Sequence, residues 1–485
     1  MSRVQILSHM TPSDVHPFGD IRENMAHQLR STITRLQEFR EKVKPGNFKI
    51  HESHRSTDKN ATYFRFLDQA VSQAERALRI RNVCQRQERQ LSEGEQPGTT
   101  PYHTGWYDKD ELYNSLEVYY QQRVLFCPVL KVGSTFWRRL WNALEHGKQV
   151  ASPYDIPIAK ALAAKRTHLK DVATGFINKH SPLRRRGDLH PRQPWPGGEN
   201  MNYTTVAVTL NDSAVEEFIH KAGTVMFTRE PYAKLLSGYV DKLFAPNPFF
   251  WSAIGKHIIQ NVRPDASPKS LECGHDVTFP EFIKFVLESE RTGKFKRDKH
   301  FVSSFDQCKP CNITYDIVGK METFPQDAGL VLAQLGFNLS QSTLAEWGRL
   351  SENDAIEDSI TSPYSWRKAI VKCMTWEEAN RRIWRKMQIR GLVDRRQPLP
   401  MTSYKQYSLR SKDFTQVVKN VWQAFRTTDR KSAQKKAAMS SAYSLVPKAD
   451  LEKLREYFLI DFDVFGYDSR PDVVFSAEST WDVFN

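Results

Sequence analysis

Two stretches of this chain carry residues suited to holding an anion. The first is Arg123–Leu140, RVLFCPVLKVGSTFWRRL. An apolar run ends at Lys131-Val132-Gly133-Ser134-Thr135, and a stretch with helical spacing follows at once. The unpaired amides and dipole of a helix amino end make such a turn attractive to negative charge. Gly133 lets the backbone approach a phosphate closely, Ser134 and Thr135 add hydroxyl donors, and Lys131 adds a mobile cation. The loop is not a Walker A sequence, because GxxxxGK[ST] is absent and the lysine precedes the glycine.

The second stretch is Thr224–Phe244, TVMFTREPYAKLLSGYVDKLF. A strand-like run ends at Arg229, and Pro231 stands at a first helical position. An arginine there can grip a phosphate bidentately while Ser237, two turns into the helix, completes the shell. The alternative is that Arg229 pairs with Glu230 or Asp241 and that Ser237 merely packs.

The elements that must position these residues follow from hydrophobic pattern. From Tyr107 onward, apolar runs (VLFCPVL, TVMFT) alternate with helical stretches (STFWRRLWNALEHG, YAKLLSGYVDKLF). That alternation predicts an α/β fold with a parallel β-sheet flanked by helices. Ahead of it, residues 20–45 and Tyr63–Leu91 read as amphipathic helices, either packed on the domain, forming a stem, or pairing two copies in a coiled-coil homodimer. Glu93–Thr104 reads as a linker, and Ser181–Asn200, rich in Arg, Pro and Gly, as a surface loop. The expected division is a helical stem-like extension and linker over 1–100, a main domain over 101–470 and a tail over 471–485.

The chain of 485 residues carries a formal charge of +14, which points to polyanionic partners without choosing among nucleic acid, anionic membrane and acidic glycan. Six cysteines, of which only Cys308 and Cys311 are close, offer neither a small disulfide scaffold nor a paired zinc motif. Five Asn-X-Ser/Thr sequons, at Asn60, Asn202, Asn211, Asn312 and Asn338, lean toward a secretory protein. No stretch reaches the roughly 20 apolar residues that span a bilayer, and no signal-peptide run opens the sequence.

Taken together, the two anion-binding stretches resemble the Golgi carbohydrate sulfotransferases that act on chondroitin, dermatan and terminal N-acetylgalactosamine. The 5′-phosphosulfate loop of that family reads roughly C-x-x-P-K-x-G-C-T-x-W-[KR]; here it stands as Cys127 to Arg138, with Leu130 in place of the proline and Ser134 in place of the second cysteine. The family's 3′-phosphate motif, R-[DE]-P-[FY]-x-[RK]-L-x-S-x-Y, stands here as Arg229 to Tyr239. Val277-Thr278-Phe279-Pro280-Glu281-Phe282, the block from Phe305 to Thr323 with Cys308-Lys309-Pro310-Cys311, and Asp461-Phe462 with Phe465-Gly466-Tyr467 resemble later family segments in order.

The resemblance implies a P-loop-like sulfotransferase fold and transfer of sulfate from 3′-phosphoadenosine 5′-phosphosulfate (PAPS) to a sugar hydroxyl, with no metal. Lys131 would stabilise the bridging oxygen and emerging phosphate. Val132, Gly133, Ser134, Thr135, Phe136 and Trp137 would line the 5′ side, and Arg229 and Ser237 would hold the 3′-phosphate. His168 is the expected base, with His180 and His190 as rivals. The Cys308–Cys311 pair would brace a lumenal loop through disulfides of unread connectivity. The implied partner is a glycan, either a polyanionic glycosaminoglycan or a terminal N-acetylgalactosamine, and not nucleic acid. The implied setting is the Golgi lumen, membrane-anchored in the family, although no anchor is visible in this chain. The competing readings are a non-catalytic glycan-binding relative and a nucleotide kinase-like enzyme.

Overall fold

The computed structural model describes residues 30–35, 38, 59–92, 109–145, 150–164, 166–173, 212–292, 298–337, 339–400, 409–425 and 428–485. His180 and the Ser181–Asn200 loop, with His190, lie outside the described residues, as do the 93–104 linker and most of residues 20–45.

One sheet, in the order β3-β1-β2-β4-β5, is built from β1 (Glu117–Tyr119), β2 (Val124–Cys127), β3 (Thr167–His168), β4 (Gly223–Thr228) and β5 (Ile317–Lys320). The three strands β2, β4 and β5 are parallel: Phe126 lies opposite Val225, and Met226 opposite Val318. Every residue of β2 and β4 is buried, as strands covered on both faces require. The expected parallel sheet is this β2-β4-β5 side of the sheet. The edge beyond β2 is antiparallel because the short turn over 120–123 folds β1 back on β2 as a hairpin; β3 then pairs antiparallel with β1.

Each parallel strand runs into a helix at its carboxyl end: β2 into α2 (Ser134–Glu145), β4 into α3 (Pro231–Tyr239) and β5 into α4 (Phe324–Gln334). On α2 the apolar positions 136, 137, 140, 141 and 144 form one buried stripe. Trp137 and Trp141 stack at 5.6 Å, and Trp137 meets Phe227 of β4 at 4.8 Å. This aromatic layer fixes the start of α2 against the sheet.

Ahead of these lies α1 (Lys59–Ser92), which packs on the main domain. Gln73 accepts from the Val318 amide at 3.0 Å and donates to its carbonyl at 3.2 Å, so a side chain covers the open edge of β5. Arg76 donates to the same carbonyl at 2.6 Å and pairs with Asp327 at 2.9 Å, and Cys84 is bonded to Cys311. At the other end of the chain, Val474 and Val483 are buried and Phe484 packs on Tyr239 at 5.2 Å. Both α1 and the last residues of the chain thus pack against the main domain.

The six cysteines form Cys84–Cys311, Cys127–Cys308 and Cys273–Cys373. Cys308 and Cys311 each reach a different element, β2 and α1 respectively. No helix among the described residues is long and apolar enough to cross a membrane.

Candidate active site

The carboxyl ends of β2 and β4 open into a cavity of about 500 Å³. Its lining includes Lys131, Gly133, Ser134, Thr135 and Phe136 from the first stretch, and Arg229 and Ser237 from the second. The fold thus brings together residues about a hundred positions apart, at the place where open α/β sheets bind ligands. Val132 and Trp137 share the motif but are buried in the core, at 1% and 0% exposure.

The turn itself is sharply curled. Lys131 and Gly133 both have positive φ, 67° and 72°. A Cβ on Gly133 would stand 2.8 Å from the Phe324 ring and 3.4 Å from the Met321 sulfur, so glycine is required by space as well as by conformation. The Gly133 carbonyl takes the Trp137 amide at 3.3 Å. The amides of 134–136 precede Trp137, the first intrahelical donor, and are left for an outside anion.

Lys131 meets Asp241 at 2.8 Å. Asp241 lies on Val240–Phe244, a π-helical turn that continues α3 and turns its side chain toward the cavity. The same carboxylate holds Lys386 at 2.6 Å and Lys242 at 3.2 Å. Lys386 comes from α6 (Trp376–Ile389), which follows α5 (Gln341–Ser365) in the chain. Burial pushes Asp241 upward, but the three lysines outweigh it and hold the group well below the ordinary carboxylate range. Burial lowers Lys131 to about 8, against the opposing pull of Asp241 and with Lys242 and Arg390 adding repulsion. A single carboxylate thus gathers a cluster of cations around the turn. Arg390, just past α6, adds a further guanidinium to the lining.

Arg229 does not make the pairing with Asp241 that the sequence left open. Its Nη1 donates to the Lys131 carbonyl at 3.2 Å, while Glu230 caps α3 by accepting the Tyr232 and Ala233 amides at 3.1 and 2.6 Å. Asp316, Lys320 and Glu322 brace the strand ends: Asp316 holds the Thr224 amide at 2.9 Å, Glu322 holds the Glu230 amide and the Tyr467 hydroxyl, each at 3.0 Å, and Lys320 lies 4.3 Å over the Tyr467 ring.

His168 is not part of this lining. It sits on β3 opposite Glu117, its amide bonded to Asp171 at 2.7 Å and its Nδ1 buried without a partner. The histidine that does line the cavity is His300, whose Nδ1 lies 2.5 Å from Asp298. The sequence reading missed it because His300 stands far along the chain from either motif. The available signal was the Asp-X-His spacing of Asp298-Lys299-His300. Lys386, Lys242, Arg390 and Asp241 were likewise missed as a group, since only the tertiary fold assembles them.

A phosphate-bearing nucleotide fits this donor set. The turn offers free amides and a cradle that a Cβ would fill, and the walls offer Lys131, Arg229, Lys386 and Arg390. Among the described residues no three His, Cys, Asp or Glu side chains gather as a metal site.

Known proteins point in the same direction. A family model described as the sulfotransferase family matches residues 116–388. The chain is similar to carbohydrate sulfotransferase 11 of Rattus norvegicus, at 27% identity over 47% of this chain and 66% of that protein. It is similar to carbohydrate sulfotransferase 8 of Homo sapiens, at 28% over 44% of this chain and 41% of that protein. It is similar also to carbohydrate sulfotransferase 12 of Mus musculus, at 22% over 70% and 72% respectively. The chain thus spans less than two thirds of the first two of these relatives, 66% and 41%. No solved structure matches it.

Proposed function

Because the chain belongs to the sulfotransferase family, we propose that it transfers a sulfuryl group from PAPS to a hydroxyl of a glycan. The observation that carries this reading is the Lys131–Gly133 turn at the head of α2, joined through the Lys131 carbonyl to Arg229 in one cavity. When bound, the donor supplies a sulfuryl group on a phosphate leaving group. The amides of 134–136 with the hydroxyls of Ser134 and Thr135 hold its 5′ side, while Arg229 and Ser237 hold the 3′-phosphate. Lys131, held beside Asp241 before the reaction, would neutralise charge at the bridging oxygen. Val132 and Trp137 contribute by packing, which sets where the amides point.

The relatives' names support a carbohydrate acceptor. A polyanionic glycosaminoglycan is favoured by the net charge of +14 and by a second cavity lined by Arg381, Arg382, Arg385, Arg395 and Arg396. At the rim of the first cavity, Phe249 and Trp366 are 66% and 38% exposed and offer flat apolar faces to a sugar ring. A terminal N-acetylgalactosamine acceptor would use the same rim without the second cavity. We assign the chain to the Golgi lumen: all six cysteines are paired, which suits an oxidising compartment, and the Asn312 sequon is exposed. In a homodimer through the N-terminal helices, α1 would offer only the face not already used against β5.

The deciding experiment is equilibrium binding of 3′-phosphoadenosine 5′-phosphate compared with ATP and magnesium, followed by transfer of labelled sulfate to desulfated chondroitin. Binding of the 3′-phosphorylated nucleotide with transfer is the expected result. Binding of ATP and magnesium alone would favour a kinase-like enzyme, and glycan binding without either nucleotide would favour a non-catalytic relative.

A further inference from the structure

Sulfuryl transfer needs a base for the attacking hydroxyl, and the cavity contains one histidine in a defined setting. His300 lines the cavity, and its ring is 18% exposed. Asp298 accepts from the His300 amide at 2.8 Å and meets its Nδ1 at 2.5 Å. A carboxylate in that position keeps the proton on Nδ1 and leaves the Nε2 lone pair free. Phe250 packs edge-on to the ring at 5.2 Å, and the turn is pressed against α3, where a Cβ on Gly238 would stand 2.8 Å from Phe301 and 3.4 Å from the His300 carbonyl. Lys234 of α3 donates to the carbonyl of Val302, two residues on. The imidazole is therefore held at the cavity wall by Asp298 and Phe250, and the turn that carries it is fixed against α3 by Gly238 and Lys234.

We propose that His300, oriented by Asp298, is the catalytic base that takes the proton of the acceptor hydroxyl. This rests on the sulfuryl-transfer reading above. In the step, the acceptor oxygen forms a bond to sulfur, and the bond from sulfur to the leaving phosphate oxygen breaks with its electron pair going to that oxygen. The hydroxyl proton moves to Nε2 and then to water, while Lys131 neutralises the departing phosphate. The charges facing His300 are Asp298 from its own turn, Lys242 from the π-helical turn and Lys131 from the β2 loop. Burial, with the two lysines, outweighs Asp298 and holds the imidazole below its ordinary value, so the ring is neutral and able to accept a proton at neutral pH.

Two other groups compete for the role. Asp241 is a poor base because three lysines hold it ionised. Asp358, on α5, also lines the cavity and serves as the rival.

The test uses the full chain with His300→Gln, His300→Ala, Asp298→Asn and Asp358→Asn. Binding of 3′-phosphoadenosine 5′-phosphate is measured beside the single-turnover rate with desulfated chondroitin. Both His300 variants should bind the nucleotide as the wild type does and lose about 100- to 10,000-fold in rate. Added imidazole should restore part of the rate to His300→Ala, and Asp298→Asn should show a smaller loss. In the donor-free wild type, diethyl pyrocarbonate mapped by mass spectrometry should modify His300 at pH 7, with a rate that falls as the ring protonates. Near-normal turnover in folded His300→Gln, a loss confined to Asp358→Asn, or an unreactive His300 would each overturn the proposal. A parallel loss of nucleotide affinity would assign His300 to donor binding instead. Failure of the wild type to bind the nucleotide would overturn the transfer reading itself, and is read separately from the base assignment.

Discussion

The guanidinium of Arg229 donates to the backbone carbonyl of Lys131 at 3.2 Å, tying the ends of β2 and β4 together at the floor of the cavity. Lys131 is one of few non-glycine residues with positive φ, and that conformation turns its carbonyl to Arg229 while its side chain reaches Asp241. The backbone strain, about 1–2 kcal/mol for an L-residue in the left-handed region, is offset by these two contacts. One residue thus couples the two halves of the site, and substitutions at either end should be separable by readout.

Lys131→Ala should leave the fold intact, since the side chain packs against cations and a carboxylate at the cavity wall and not in the apolar core. The rate of transfer should fall by about 100- to 1000-fold, the value of a contact made where charge develops. Single-turnover kinetics on a variant with wild-type thermal stability would check it, and near-normal turnover would remove Lys131 from the mechanism.

Arg229→Ala should act on affinity. A charge-assisted phosphate contact contributes about 1.5–3 kcal/mol, or about 10- to 150-fold in Kd. The loss should nearly vanish for a donor analogue lacking the 3′-phosphate. Equal weakening of both nucleotides would show that Arg229 acts through the Lys131 carbonyl, by shaping the turn.

Legibility in the sequence followed locality. Lys131, Gly133, Ser134 and Thr135 lie within five positions between a strand and a helix, so pattern alone placed them at the turn that leads into α2. In the same stretch the side chains of Trp137 and Val132 turn inward, because one face of α2 and its approach must fill the core. His168 was suggested by the family resemblance, yet β3 carries it to the antiparallel edge of the sheet. His300, Lys386 and Asp241 reach the cavity only through the packing of α3, its π-helical turn and α6, which no local spacing encodes. The antiparallel edge was hidden for a similar reason: β1 and β3 have three and two residues, too few to show a period.

The alkaline limb of activity should report Lys131. Its ammonium is held at about 8 instead of 10.5, first by burial, so turnover should decline as pH rises past that value. Asp241→Asn removes the carboxylate that opposes this shift and should move the limb to lower pH. The sign for stability is the reverse. Between about 8 and 10.5 the unfolded chain binds the proton that folded Lys131 has released, so this group makes the wild type more stable as pH rises through that window. A pH profile of kcat/KM beside chemical denaturation at each pH would check both, and an unshifted limb in Asp241→Asn would mean that another group titrates.

Removing the Cys84–Cys311 disulfide should expose how much the site depends on α1. The bond closes a segment with a sequence separation of 227, and loss of such a link typically costs about 2–5 kcal/mol. Gln73 and Arg76 remain on Val318 and Asp327, so the amino-terminal half of α1 should stay docked while the part beyond Cys84 opens. The double variant Cys84→Ser/Cys311→Ser, which leaves no unpaired thiol, should therefore unfold at a lower temperature. It should also be cut by trypsin first at Arg86 or Arg89. Asp327 in turn holds the Lys320 amide at 2.8 Å and the Thr323 hydroxyl at 2.6 Å, at the strand end beside Met321 of the cavity wall. Adding Arg76→Ala to the double variant should loosen that strand end and weaken nucleotide binding, whereas the disulfide variant alone should bind normally. Nucleotide affinity that falls already on loss of the disulfide would show that the whole of α1 supports the site, and an unchanged unfolding temperature would show that the bond does not hold the helix.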